Sequence, residues 1–177
     1  MHRRLVFLTV ITTASLLAGC ASPASDTPNT SLTASHDSAQ AKRMLNQGTA
    51  VIKGSALIRQ AGGGVVTCAG RQVFVMAGES PRSREWAATL FGEQDRGYIP
   101  HPGGPVRFDP KDALFADIKA TTCDAQGAFK FDGISSGRFI VFTRVTWVVA
   151  GQTQGGTIMR SVTVADGAPQ ADVVLAP

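Results

Sequence analysis

Histidine, tyrosine and cysteine are scarce in this 177-residue chain, which has three, one and three of them, and each scarcity closes a class of chemistry. His2 stands in the N-terminal leader and His36 in a stretch that reads as linker. That leaves His101, in the Pro100-His101-Pro102 loop, where it reads as an exposed loop residue. Neither a Ser-His-Asp triad nor a histidine-rich metal centre is therefore expected, and the sequence sets no catalytic residue, metal or cofactor. The glycine clusters Gly62 to Gly64 and Gly103-Gly104 lack the lysine and the following serine or threonine of a phosphate loop and read as turns. Charge is sparse too, at 17% of residues. Arg82 and Arg84 are followed at once by Glu85, and with no basic cluster on one face a nucleic-acid partner is not expected. The longest apolar run, Leu5 to Leu17, is too short to span a bilayer as a helix.

What is present begins with that run. Arg3 and Arg4 precede it, and small residues close it at Leu17-Ala18-Gly19-Cys20, which resembles the lipobox of a bacterial lipoprotein signal. The resemblance implies removal of residues 1–19, diacylation of Cys20 and a membrane partner reached through that lipid, since two acyl chains anchor stably where one does not. Ala21 in place of an aspartate points to the outer membrane, facing the periplasm. Loss of Arg3 and Arg4 from seventeen basic residues leaves fifteen against thirteen acidic ones, so the exported part is nearly neutral. Residues 20–48 are rich in Ser, Thr, Ala, Asp and Pro without apolar period and read as a flexible linker, in which Ala39 to Leu45 has the makings of a helical turn or two that nothing forces. Residues 49–177 have the size of one domain.

That domain reads as short strands punctuated by glycine. Val51 to Ile58, Val65 to Cys68 and Arg71 to Met76 form its first half, and the unbroken Val73-Phe74-Val75-Met76 predicts a strand covered on both faces. Leu114 to Cys123 and Ala128 to Phe131 flank Asp124-Ala125-Gln126-Gly127 as a hairpin. Arg138 to Val149 is the longest strand, and Thr157 to Val164 and Ala171 to Leu175 complete a seven-stranded antiparallel β-sandwich. One short helix interrupts it: Ser80 as cap, Pro81 as first residue, an apolar face of Trp86, Ala87, Leu90 and Phe91, and Gly92 as stop. Glu93 to Lys111, with four prolines and three glycines, reads as a long inserted loop, a kind of segment that usually binds or covers something.

The stretch Thr122 to Phe139, with Asp124, Gly127, the alternating Phe129 and Phe131, then Ile134, Gly137 and Phe139, resembles the signature of carboxypeptidase regulatory-like domains. The resemblance implies a transthyretin-like (prealbumin-like) sandwich over most of Val51 to Leu175. It does not imply peptidase activity, since it is to the accessory domain. Enzymes on this sandwich are disfavoured by residue. Hydroxyisourate hydrolases need several histidines and a Tyr-Arg-Gly-Ser ending, where this chain ends Val174-Leu175-Ala176-Pro177; intradiol dioxygenases need two tyrosines, and Tyr98 stands alone.

In an oxidising compartment Cys68 and Cys123 are expected to form a disulfide. The function expected is a non-catalytic interaction or structural module with an envelope protein or glycan as partner. Its surface would draw on Trp86, Phe91, Tyr98, His101 and Arg107, against the competing reading that Trp86 and Phe91 are simply core. The alternatives are a periplasmic small-ligand or glycan-binding lipoprotein, with a concave pocket under the inserted loop, and a hydrolase using acids such as Asp109, Asp112 and Asp117. The sequence sets no oligomeric state.

Overall fold

Runs of β-branched and aromatic residues between glycines become strands, and a sandwich forms where their alternating apolar faces meet. The structure is a computed structural model that describes residues 29–93, 95–103 and 106–177. The segment expected to be a signal, residues 1–19, and Cys20 lie outside the described residues. In chain order the elements are β1 (Asn29–Thr30), α1 (Ser38–Asn46), β2 (Ala50–Arg59), β3 (Val65–Thr67), β4 (Gln72–Ala77), α2 (Pro81–Phe91), β5 (Arg96–Pro100), β6 (Arg107–Phe108), α3 (Ala113–Ala116), β7 (Lys119–Thr122), β8 (Ala128–Ile134), β9 (Gly137–Val149), β10 (Gln152–Val164) and β11 (Gln170–Leu175).

The fold is an all-β sandwich. One layer has the order β5-β10-β9-β4-β7, antiparallel throughout. In the other, β2 is central: β11 lies parallel along one edge, while β8 and β3 share the other. Val73, Val75, Phe139, Val141 and Ile158 from the first layer meet Ile52, Phe131 and Leu175 from the second in a fully buried core. A second core lies on the outer face of the five-stranded layer, where Met76, Ile140 and Met159 pack beneath Trp86 and Ala87 of α2, Leu114 of α3 and Leu32. The sulfurs of Cys68 and Cys123 are bonded, with α-carbons 5.8 Å apart. This disulfide ties the exit of β3 in one layer to the exit of β7 in the other.

The helix α2 forms between the expected bounds, and Gly92 closes it in the left-handed conformation (φ 75°) that glycine adopts without steric cost. Four expectations are corrected. The layers hold nine strands rather than seven, and β2 with β11 is parallel rather than antiparallel. The inserted loop is partly strand: β5 pairs with Gly156 to Arg160 of β10, and the bare Gly97 leaves room for the Phe91 side chain, whose own Cβ a Cβ there would meet at 2.4 Å. Asp124 to Gly127 makes a turn but no hairpin, since β7 pairs with β4 and β8 with β2 in the opposite layer. Its upstream strand is short because the Asp112 carboxylate caps α3 by accepting from Leu114 N at 2.9 Å.

The fourth correction concerns the linker. From Asn29 onward it is packed structure. Asp37 caps α1 by accepting from Gln40 N at 2.9 Å, and Ala41, Met44 and Leu45 of that helix enter the inner core. Residues before Asn29 lie outside the described residues.

Candidate functional site

Along β4, β9 and β10, residues two apart share a face, so the outer face of the five-stranded layer can be read in register. Phe74 stands opposite Phe142 and Met159 opposite Phe142. Toward one end this face is sealed by α2 and α3. Toward the other end, Gln72, Arg144, Thr146 and Thr157 follow, all half-buried or exposed.

A continuous set of rings links the two ends. Phe91 meets Trp86 edge-on at 5.7 Å, Trp86 meets Phe142 at 4.9 Å, and Phe142 stacks on Phe74 at 5.3 Å with 25° between planes. Trp86 is buried under the helix, whereas Phe74, like Phe91 and Phe142, is half-buried, and Phe74 is the ring nearest the open end of the layer. There it borders an open hollow of about 320 Å³ lined by Gly70, Arg71, Gln72, Phe74, Arg144 and Thr146. Arg144 Nη2 lies 3.3 Å from Nδ1 of His101, and since a guanidinium can only donate, that nitrogen accepts. The disulfide lies beside this rim: Cys123 N donates to Arg71 O and Arg71 N to Cys68 O. An aromatic face ringed by fork-shaped and amide donors can hold a hydroxyl-rich ligand by ring contact and directional hydrogen bonds together.

The five residues expected as a partner surface do not converge. Trp86 is core, at 4% exposure. Phe91 and Tyr98 line a second cleft, of about 280 Å³, with Glu93, Arg96, Gly97, Arg160, Ala176 and Pro177, and the Tyr98 hydroxyl donates to Gly155 O at 2.9 Å. His101 faces the hollow through Arg144, and Arg107 lies in β6 beside Asn29. Of the three acids, Asp109 accepts from Lys111 N at 2.9 Å and Asp112 pairs with Arg82 at 3.3 Å.

Asp117 is different. It is buried, and its Oδ2 lies 2.8 Å from His36 Nε2, while His36 Nδ1 lies 3.1 Å from Ser80 Oγ. The expectation that no serine–histidine–carboxylate set could form is thus overturned, because His36 sits in an ordered strap rather than a linker. Ser80 Oγ is also 3.4 Å from Ser35 O, in a residue 8% exposed, so the hydroxyl is built into the strap's attachment. Burial acts to raise the Asp117 carboxyl. Hydrogen bonds from Ser38 and His36 and the charge of Lys42 outweigh it and hold the group below its ordinary value.

The same strap is gripped by α2. The Glu85 carboxylate accepts from Ala34 N at 2.8 Å, Thr33 N at 2.9 Å and Thr33 Oγ1 at 3.0 Å, and Arg82 Nε donates to Ala34 O at 2.7 Å. Those backbone donors, Ala34 first, hold the Glu85 carboxyl below its usual value. These contacts span about fifty residues of sequence, which is why no local pattern announces them.

No protein-family model matches the chain, and no curated protein does. Among solved structures the chain is similar to a proposed carbohydrate-binding protein of Pseudomonas aeruginosa, at 23% identity over 79% of this chain and 94% of that one, with a TM-score of 0.59. That likeness is one of fold.

Proposed function

We propose that this chain is a non-catalytic, saccharide-binding module of the bacterial envelope, held to the membrane through a lipid on Cys20. The observation that carries the reading is the hollow on the open half of the five-stranded layer, which half-buried Phe74 lines together with Gln72, Arg144 and Thr146. The Pseudomonas protein of similar fold, itself proposed to bind carbohydrate, supports the same direction. The two-layer sandwich and the Thr122 to Phe139 motif support kinship with carboxypeptidase regulatory-like domains.

The test is retention of the exported chain, from residue 20, on an array of neutral and acidic oligosaccharides, followed by calorimetry on the saccharides it retains. Phe74→Ala is expected to weaken binding about tenfold, the equivalent of 1.4 kcal/mol, and Arg144→Ala by at least as much. An array that retains nothing, or binding indifferent to Phe74, overturns the reading and returns the chain to the class of protein-interaction modules. The anchor is tested separately: Cys20→Ala should abolish labelling by radioactive palmitate and move the protein to the soluble fraction.

A further inference from the structure

The second cleft carries a feature that folding alone disfavours. β5 and β10 pair so that Arg96 stands directly opposite Arg160, which places two cations on one face with their β-carbons about 5 Å apart. Like charges in that position destabilise a sheet, and a break of a local rule without local compensation marks a place with another use. Both side chains are exposed, and neither has an ion pair or side-chain hydrogen bond among the described residues. The neighbouring Asp95 is already committed, to Arg138 Nη2 at 2.8 Å and Ser161 Oγ at 2.9 Å. Glu93 and Pro177 form part of the wall, and among the described residues no ion pair joins either to the arginines.

The surroundings are shaped as well as charged. β10 packs against β11, and β5 extends the five-stranded layer beyond it, so the face bearing Arg96 and Arg160 overhangs the end of the other layer at Ala176 and Pro177. Tyr98 shares this face with Arg96, and its ring is fixed by the hydroxyl's bond to Gly155 O. On the far side, Phe91 presses on Gly97. A rigid ring beside two unpaired guanidinium forks, over a space of about 280 Å³, matches the geometry of bidentate oxyanion recognition.

We propose that this cleft binds an oxyanion, a carboxylate or a phosphate ester, carried by a small ligand of monosaccharide size. It lies on the opposite face of the layer from the Phe74 hollow and stands independently of the saccharide reading.

Thermal unfolding of the exported chain in sodium phosphate, glucose 6-phosphate, galacturonate or glucose, each against sodium chloride at equal ionic strength, tests it. At least one oxyanion is expected to raise Tm by several degrees, as a ligand that binds the native state must, while glucose does not. A response to phosphate and the sugar phosphate assigns a phosphoryl group; a response to galacturonate assigns a carboxylate. Arg96→Gln and Arg160→Gln should each abolish the rise, and calorimetry should show affinity falling at least tenfold. Arg160→Lys, which keeps charge and loses the fork, should also weaken binding. Without anion the two Gln variants should be no less stable than the parent, and Phe74→Ala should respond as the parent does. No anion shift above chloride, or an equal shift in the Gln variants, overturns the proposal.

Discussion

At one end of the five-stranded layer Met76, Ile140 and Met159 lie sealed under α2, whereas at the other end the same strands present Gln72, Arg144 and Thr157 to solvent. The backbone pairing is continuous from one end to the other, so the sheet itself does not distinguish them. What changes is the outward-facing position of each strand. In β9 the run Ile140-Val141-Phe142 is apolar on both faces, as a doubly covered strand must be, and from Thr143-Arg144-Val145-Thr146 the pattern returns to alternation. The switch between Phe142 and Arg144 marks where the helix stops covering the sheet. The covered end is specified as core. The uncovered end keeps polar groups and one ring beside a disulfide, an arrangement suited to contact with something outside the chain.

The largest effect expected from breaking this contrast is at Trp86, which carries the seal. Trp86→Ala should cost up to about 5 kcal/mol, the upper range for a large buried aromatic, read from chemical denaturation. Almost as large is removal of the disulfide beside the open end. Its cysteines are 55 residues apart, and closing a loop of that length is worth about 4 kcal/mol in the chain-entropy model. Cys68→Ala with Cys123→Ala should lower stability by that amount with Trp86 still in place. If the double variant unfolds at the parent's denaturant midpoint, the open end is held by packing like the covered one and the contrast fails.

Acid should act on the covered end first. The carboxyls of Glu85 and Asp117 lie below their ordinary values of 4.5 and 3.8 when folded. A carboxyl lowered by folding contributes stability in full above its unfolded value and loses it as pH falls through the folded one. The strap's attachment to α2 should therefore weaken as pH drops below about 4.5, seen as faster hydrogen exchange at the Thr33 and Ala34 amides. In Glu85→Gln those amides should exchange faster already at neutral pH, with a smaller further change on acidification. Amides of Val145 and Ile158, in the inner core, should not respond over the same range.

The difference between the two ends also explains what could be read from residues alone. Helix α2 was legible because its signals are local: Pro81 at the start, Gly92 at the stop and an apolar face between them. The cysteine pair was legible from number and from the compartment expected of the chain. The strap was not, because Leu32 and His36 are single residues in polar surroundings, and the strap's partners come from distant sequence: Trp86 for Leu32, Glu85 for Thr33 and Ala34, Ser80 and Asp117 for His36. For α1 the signal was half legible: Ala39 to Leu45 reads as capable of a helical turn or two, but its polar surroundings give no reason for Ala41, Met44 and Leu45 to pack into the core. β5 was hidden by Gly97 and Pro100, whose turn chemistry outweighed the strand preference of the adjacent Tyr98 and Ile99. The hollow was hidden more deeply, since Phe74 sits in a run that reads as doubly covered, and where α2 stops along the sheet is set by packing.

The smallest stability effect expected is the most discriminating. Arg144→Met keeps the length and apolar stem of the side chain while removing its donors. The group is exposed, and its polar contact is with His101, so the substitution should change stability by no more than about 0.5 kcal/mol. A residue retained for the fold would cost more than that; one retained for a ligand should cost affinity instead. Equilibrium denaturation and saccharide calorimetry on the same variant separate these outcomes. A near-unchanged midpoint with weakened binding places Arg144 in a recognition surface, whereas a loss of stability with binding intact makes the open end one more structural face, differing from the covered end in solvent exposure alone.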